Sequence, residues 1–364
     1  MHLNGLIGPE RSCIMENLFL IEQENLMTSR FFNFPRCGAV SVLAWTAIVA
    51  LLLGGVEPAR SQATDSYPAR PITLVVPFPA GGTLDIVGRI AATEMSKTLG
   101  QQIVVENRAG AGGNLGSRQV ARSAPDGYTL LLSYVGITAI NPIMYSNMGY
   151  DPDTNLAPVG SITTAASVLV LHPSFPAQNL REFLAYAKAN PGKVDYASSG
   201  VGTGVHVGTE LLADAAKIEI KHIPYKGTAP AVADLLGGHV KVMLVPIPPV
   251  IGAIKSGQLR AIGVTSSTRS KLLANVPTIS EVGVPGFDAD TRYGLMVPAG
   301  TPAAIVGRLN AALRIALSDE AVRKKMSDDG LEPQPDTPQQ YRTAIVEEQK
   351  VWGSIVKKLG LRAE

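Results

Sequence analysis

Cysteine is nearly absent. The chain of 364 residues holds two, Cys13 and Cys37, and both lie in its N-terminal segment. The remainder therefore has no disulfide, no thiol nucleophile and no thiolate metal site. Aromatic side chains are scarce at 5% of the composition, and the formal net charge is only +2. With no basic block and little aromatic interleaving, nucleic-acid binding has no support. No resident metal or cofactor is expected either. His172, His206, His222 and His239 never fall at ligand-type spacing, and His2 is in the leading segment. A Walker-type phosphate loop needs a Lys-Ser or Lys-Thr pair after its glycines, and no glycine-rich turn here has one.

A long apolar run occurs near the start. From Met27 the sequence reads "MTSRFFNFPRCGAVSVLAWTAIVALLLGGVEPARSQA". Arg30 and Arg36 make a positive flank, the apolar run spans 37–56, and small residues stand at Ser61 and Ala63. This is the layout of a secretory signal peptide cleaved after Ala63. A run near the ~20 residues of a bilayer span also fits a membrane anchor, but the small-x-small pair directly after it favours cleavage. Residues 1–26 carry no targeting or fold signal, so Met27 is the expected start. Cys37 follows Phe-Pro-Arg, which argues against a lipoprotein. Loss of residues 1–63 removes four arginines and five glutamates and raises the net charge to +3. A cysteine-free exported chain points to the periplasm, and about 300 residues suffice for two α/β domains.

Short β-type runs then alternate with helical patterns. Strands are expected at 72–76, 103–106, 128–133, 167–171, 194–198, 218–223, 240–245 and 259–265. Helical spacing covers 84–99, 180–190, 203–216 and 229–236, with stops at "ANPG" (189–192) and "LGGH" (236–239). Thr-Pro pairs open two further helices, at 301–317 and 337–360, with Thr expected to cap each. Such alternation predicts parallel sheets with right-handed crossovers.

In such sheets, ligands bind beyond the carboxyl ends of the strands. The turns there are "PFPAGGTLD", "NRAGAGGNLG", "SSGVGTGVHVG" and "PYKGTAP", rich in Gly, Ser and Thr and poor in charge. Glycine lets backbone N–H groups point inward, and the helix that follows adds its positive dipole end. Such a turn favours an anion: a carboxylate would suit it, and a phosphate is the main competitor. Gly81, Gly82 and Asp85 are the first candidates, Asp85 either capping its helix or positioning a ligand. "GAGGNLG" has a Gly-x-Gly-x-x-Gly-like spacing, but no acidic residue ends the next strand to hold a ribose. An enzymatic alternative is a hydrolase built on Ser198, Ser199, Thr203 and His206. It lacks a Gly-x-Ser-x-Gly elbow, and Thr203 as a helix cap with His206 bracing a pocket is the simpler expectation.

The blocks "YPARPITLVVPFPAGGTLDIVGR", "VVENRAGAGGNLGSRQVARSAPDGYTLLL", "YASSGVGTGVHVGTELL", "IPYKGTAPAVADLLGGHV" and "GLMVPAGTP" resemble, in order, those of the Bug-type receptors of tripartite tricarboxylate transporters. The resemblance covers essentially all of residues 67–360. It implies a two-domain type II periplasmic binding protein fold with parallel-core sheets and crossing hinge strands. Domain 1 would take 64–165 plus 290–364, and domain 2 would take 166–289. The implied function is a monomeric, non-enzymatic receptor that passes a small organic carboxylate to membrane permease subunits. The carboxylate is then gripped by main-chain N–H groups and waters. The matching positions are Phe78, Ala80, Gly81, Gly82 and Asp85 on one side and Ser199, Gly200, Thr203 and His206 on the other, with Ser133 and Tyr225 nearby. A sensory receptor coupled to a signalling partner fits the same cleft.

Two departures from the family pattern stand out: Arg292 where Trp is frequent, and Val245 where Asp is frequent. Together they predict a preference for di- or tricarboxylates over amino-bearing ligands. Alternatively, Arg292 points outward to Asp288 or Asp290.

Overall fold

The computed structural model describes residues 66–363. The start at Met27, the apolar run and the cleavage site after Ala63 lie outside the described residues. The strands in chain order are β1 (Ile72–Val76), β2 (Ile103–Asn107), β3 (Thr129–Tyr134), β4 (Leu156–Ala165), β5 (Ser167–Leu171), β6 (Asp195–Ser198), β7 (Lys221–Pro224), β8 (Val242–Pro246), β9 (Arg260–Val264), β10 (Thr291–Pro298) and β11 (Leu331–Pro333). The longer helices are α1 (Thr83–Leu99), α2 (Asn114–Ala121), α3 (Leu180–Ala189), α4 (Gly204–Ala216), α5 (Thr228–Leu236), α6 (Ala303–Ser318), α7 (Glu320–Asp328) and α8 (Pro338–Leu359). One sheet has the order β11-β4-β10-β3-β1-β2 and the other β7-β6-β8-β5-β9. Among the described residues no helix is long and apolar enough to cross a membrane.

Local chemistry explains the helices nearest the strand ends. α1 buries Leu84, Val87, Ile90, Ala91 and Met95 on one face, and Gly100 closes it at φ 70. Burying each large apolar side chain contributes about 1.5–3 kcal/mol. A Cβ at Gly88 would stand 3.0 Å from Val76 Cγ2, so this glycine lets α1 lie close on β1. α8 opens with Thr337 and Gln340 in a reciprocal capping box and ends at Gly360, φ 63. α6 departs from expectation. Pro302 takes the cap position, and the Thr301 hydroxyl instead donates to the Pro298 carbonyl at 2.7 Å.

The sheets are mixed rather than parallel throughout. β1 runs parallel to β2 and β3, and β6 parallel to β7 and β8. β10 is antiparallel to β3 and β4, and β5 is antiparallel to β8 and β9. The reason is connectivity. β4 passes into β5 with only Ala166 between them, and a strand that crosses directly into the other sheet needs no helical crossover. The chain returns between β9 and β10. At Thr265 the two passages are stitched together. Its N–H donates to the Ser167 carbonyl (2.9 Å), and its hydroxyl accepts from Ser167 N–H (2.8 Å) and donates to Asp290 Oδ1 (2.8 Å). β7 starts at Lys221, three residues later than the pattern suggests, although α4 ends at Ala216 as expected, with Lys217 at φ 53 closing it.

Candidate functional site

The turn after β1 is held by its own acid. Asp85 accepts hydrogen bonds from Gly81 N–H (3.0 Å), Arg89 Nε (2.9 Å) and Asn107 Nδ2 (3.1 Å). Asn107 also donates to the Phe78 carbonyl at 2.9 Å. Burial pushes the Asp85 carboxyl up, but these three donors together hold it below its ordinary value. Asp85 thus braces the turn, and Gly81 N–H is occupied by it. The two glycines serve the backbone instead. Gly81 takes φ +84, in the left-handed region, and a Cβ at Gly82 would be 3.3 Å from Thr228 Cβ, so that glycine permits close approach. Ala80 is exposed on the same turn.

Two helices of the other lobe face this turn. Thr203 caps α4 by accepting from His206 N–H (3.3 Å), and its hydroxyl donates to the Gly200 carbonyl (2.7 Å). α5 begins at Thr228 after Gly227, whose φ of +124 and 2.7 Å Cβ clearance from Pro79 exclude a side chain. The N-termini of α1, α4 and α5 therefore converge on one small inner chamber of about 20 Å³, room for a single water-sized group. Thr83, Ser199, Thr228, Thr291 and Tyr293 place hydroxyl-bearing side chains on its wall, with Phe78 at one side. Thr203 and Tyr134 line it as well, but their hydroxyls already donate to the Gly200 (2.7 Å) and Gly112 (3.1 Å) carbonyls. No lining residue carries a formal charge. Thr83 Oγ1 is buried without a hydrogen-bond partner. Burial raises the Tyr134 and Tyr293 hydroxyls above their ordinary value, so both stay neutral, that of Tyr134 donating to the Gly112 carbonyl.

Phe78 and Ser199 also line an outer chamber of about 440 Å³. One wall is the glycine-rich loop Ala109–Gly113, and the other includes Gly200, Val201, Tyr225 and Lys226. Tyr225 is steadied by its hydroxyl donating to Asp234 (2.8 Å). The lobes touch here. Tyr145 donates to the Val201 carbonyl (3.2 Å), and a Cβ at Gly112 would lie 2.9 Å from that same oxygen.

Four candidates lie elsewhere. His206 is buried, stacked on His222 with ring centroids 4.1 Å apart, and His222 stacks on Tyr196 at 5.0 Å. The hydroxyl bonded to an imidazole is Ser198, at 2.5 Å from His222 Nε2, and Ser198 is fully buried. Burial lowers His206 to about 3 and His222 to about 4, leaving neither suited to take a proton near neutrality. The hydrolase arrangement of Ser199, Thr203 and His206 is thus not assembled. Ser133 is buried on the sheet face away from Tyr134. Its cross-strand partner Gly294 is where the Tyr341 ring of α8 packs.

Arg292 also faces α8, not the chambers. It pairs with Glu348 (3.0 Å) and Asp336 (3.7 Å), rather than with Asp288 or Asp290. Val245 is buried inside the second sheet. Neither departure from the family pattern therefore adds charge to the site. Burial raises Glu348 to about 7 despite Arg292. A carboxyl raised in the folded state contributes stability that is full below its unfolded pKa and lost as pH rises through the folded value. Arg292→Met is therefore expected to destabilise by about 1–3 kcal/mol at pH 8, and by much less at pH 5. Urea midpoints at the two pH values check this.

Nothing in the sequence singles out Thr83, Tyr134, Tyr293 or Lys226 as chamber residues. Thr83 directly follows the glycine pair, and Lys226 stands inside "PYKGTAP". Both were within reach of turn chemistry. Tyr293 was not, because β10 gave no clear strand pattern.

Two α/β lobes joined by two direct chain passages, with helix N-termini around a shared chamber, form the architecture of a periplasmic binding protein. The solved structure of the periplasmic binding protein BugD matches with a TM-score of 0.79 at 37% identity, covering 82% of this chain and 100% of that one. R. palustris Rpa4515, solved with adipate, matches with a TM-score of 0.80 at 34% identity, covering 81% and 99%. MatC (Rpa3494) from Rhodopseudomonas palustris, with bound malate, matches with 0.76 at 35% identity, covering 80% and 100%. The sequence pattern of TctC, the tripartite tricarboxylate transporter family receptor, matches residues 87–361. The chain belongs to that family of periplasmic solute-binding proteins.

Proposed function

We propose that this protein is a periplasmic receptor that captures a small organic anion by one carboxylate in the inner chamber. It works as a monomer, performs no chemistry, and hands the anion to permease subunits of a tripartite tricarboxylate transporter. The observation that carries the proposal is the convergence of three helix N-termini and a ring of hydroxyls on a chamber without a charged side chain. Positive dipole ends with neutral donors favour an anion, while no acid is present to receive a cation. Each hydrogen bond to a carboxylate contributes about 1.5–3 kcal/mol. Four or five of them reach the ~8 kcal/mol of micromolar binding. Neighbours solved with adipate and malate support the same class of ligand.

A carboxylate enters when the lobes part, and the chamber of about 20 Å³ must widen slightly as they close on it. Residues 64–165 with 290–364 would move against 166–289, about the passages stitched at Thr265. The leader at 27–63 directs export and is then cleaved after Ala63.

Calorimetry of the purified protein with succinate, malate, adipate and glutamate tests the proposal. Micromolar binding of at least one of these acids is expected, and no binding by any of them would overturn it. Thr83→Val removes the unpartnered hydroxyl at nearly constant shape. It is expected to weaken every carboxylate about tenfold while leaving the melting temperature unchanged.

A further inference from the structure

The two chambers differ in one respect that bears on which carboxylates are held. The inner chamber has no charged side chain. The outer one has Lys226, the one residue with a formal charge among those lining either chamber. Lys226 forms no ion pair among the described residues, and the nearby Asp234 already accepts from Tyr225. Lys226 and Thr228 belong to one turn, two residues apart. Thr228 walls the inner chamber and Lys226 the outer. A ligand whose carboxylate sits beside Thr228 must run its remainder past Phe78 and Ser199, which line both spaces, toward Lys226.

We propose that Lys226 is a specificity-determining residue that binds a second anionic group, so that the receptor prefers dicarboxylates whose far end reaches the outer chamber. This rests on the carboxylate-receptor function proposed above. An ammonium group in the outer chamber would meet a like charge and no carboxylate. A neutral tail would leave Lys226 solvated and gain nothing from it. A second carboxylate gains a charge-assisted partner in a space partly screened from water by closure. The preference for acids without an amino group, expected from Arg292 and Val245, thus returns on a different residue.

Adipate and its monomethyl ester have nearly the same length and differ in the charge at one end. Calorimetry on the full protein is expected to show adipate binding about tenfold tighter than the ester, equivalent to ~1.4 kcal/mol. Lys226→Gln should remove that difference by weakening adipate alone, and Lys226→Arg should keep it. Because Lys226 is exposed at the rim, the wild-type preference should also shrink between about 20 mM and 500 mM salt. An adipate preference that survives in folded Lys226→Gln, or that ignores salt, overturns the proposal. If adipate and ester bind equally to the wild type, the Lys226 assignment fails and the receptor function stands. If neither binds, nor any other carboxylate, the receptor function fails first.

Discussion

Gly112→Ala is expected to weaken carboxylate binding at least about 100-fold while leaving the fold intact. Gly112 stands at φ +60, and the added Cβ would fall 2.9 Å from the Val201 carbonyl oxygen and 3.0 Å from the Tyr145 hydroxyl. The first obstacle is backbone of the opposite lobe and cannot rotate aside. The lobes must stay apart, and the ligand keeps the donors of only one of them. Losing two charge-assisted hydrogen bonds of about 1.5–3 kcal/mol each accounts for the loss. Alanine in the left-handed region also costs about 1–2 kcal/mol of stability wherever it is placed. Gly100→Ala provides the control, since Gly100 has φ +70 and nothing within 4 Å of its would-be Cβ. Both variants should melt earlier by similar amounts, and only Gly112→Ala should lose adipate binding in calorimetry. Equal affinities in the two variants would remove Gly112 from the closing surface.

Acid should weaken the buried histidine stack well above the pH at which ordinary carboxylates titrate. Burial lowers His222 to about 4, and burial together with the neighbouring imidazole lowers His206 to about 3. The folded state keeps both rings neutral, whereas the unfolded chain protonates them near 6.5. Stability is therefore full above pH 6.5 and falls as pH drops toward the folded values. Each fully shifted group contributes about 1.4 kcal/mol per pH unit, and His222 less because it is partly exposed. Between pH 7 and pH 5 the contribution of the pair falls by about 2–4 kcal/mol. Glu348, raised to about 7, and Asp290, raised to about 6, act in the opposite sense over that range, because the folded state takes up their protons. The histidine contribution is therefore read as a difference: urea unfolding at pH 7, 6 and 5 should show His206→Gln losing less stability to acid than the wild type, by about one proton of slope. Equal pH dependence in the two proteins would contradict the neutral stack.

Much of the fold was legible because its signals are local. The runs at 72–76 and 167–171 became β1 and β5 without adjustment. The Thr-Pro pair at 337 produced its cap. β4 and β10 were not legible. β4 carries Pro158, Gly160, Ser161 and Thr163, a poor strand pattern, and Pro158 is accommodated beside a register shift against β10. In β10, Gly294 is needed because a Cβ there would meet the Tyr341 ring at 2.4 Å, a contact between residues far apart in sequence.

The site shows the same division. Amino-acid order alone determined that several glycine- and hydroxyl-rich turns open helices, and that no cysteine, Walker lysine or metal-spaced histidine accompanies them. Those are properties of short segments, where backbone freedom, capping and dipole direction act over a few residues. Tertiary structure decided which turns face one another, and which parity of each strand looks into the cleft. In β10 that parity sends Tyr293 to the chamber and Arg292 to Glu348; in β3 it sends Tyr134 inward and Ser133 toward α8. Side chains alternate along a strand, so a shift of one residue exchanges the two faces, and only the neighbouring strands and helices select between them.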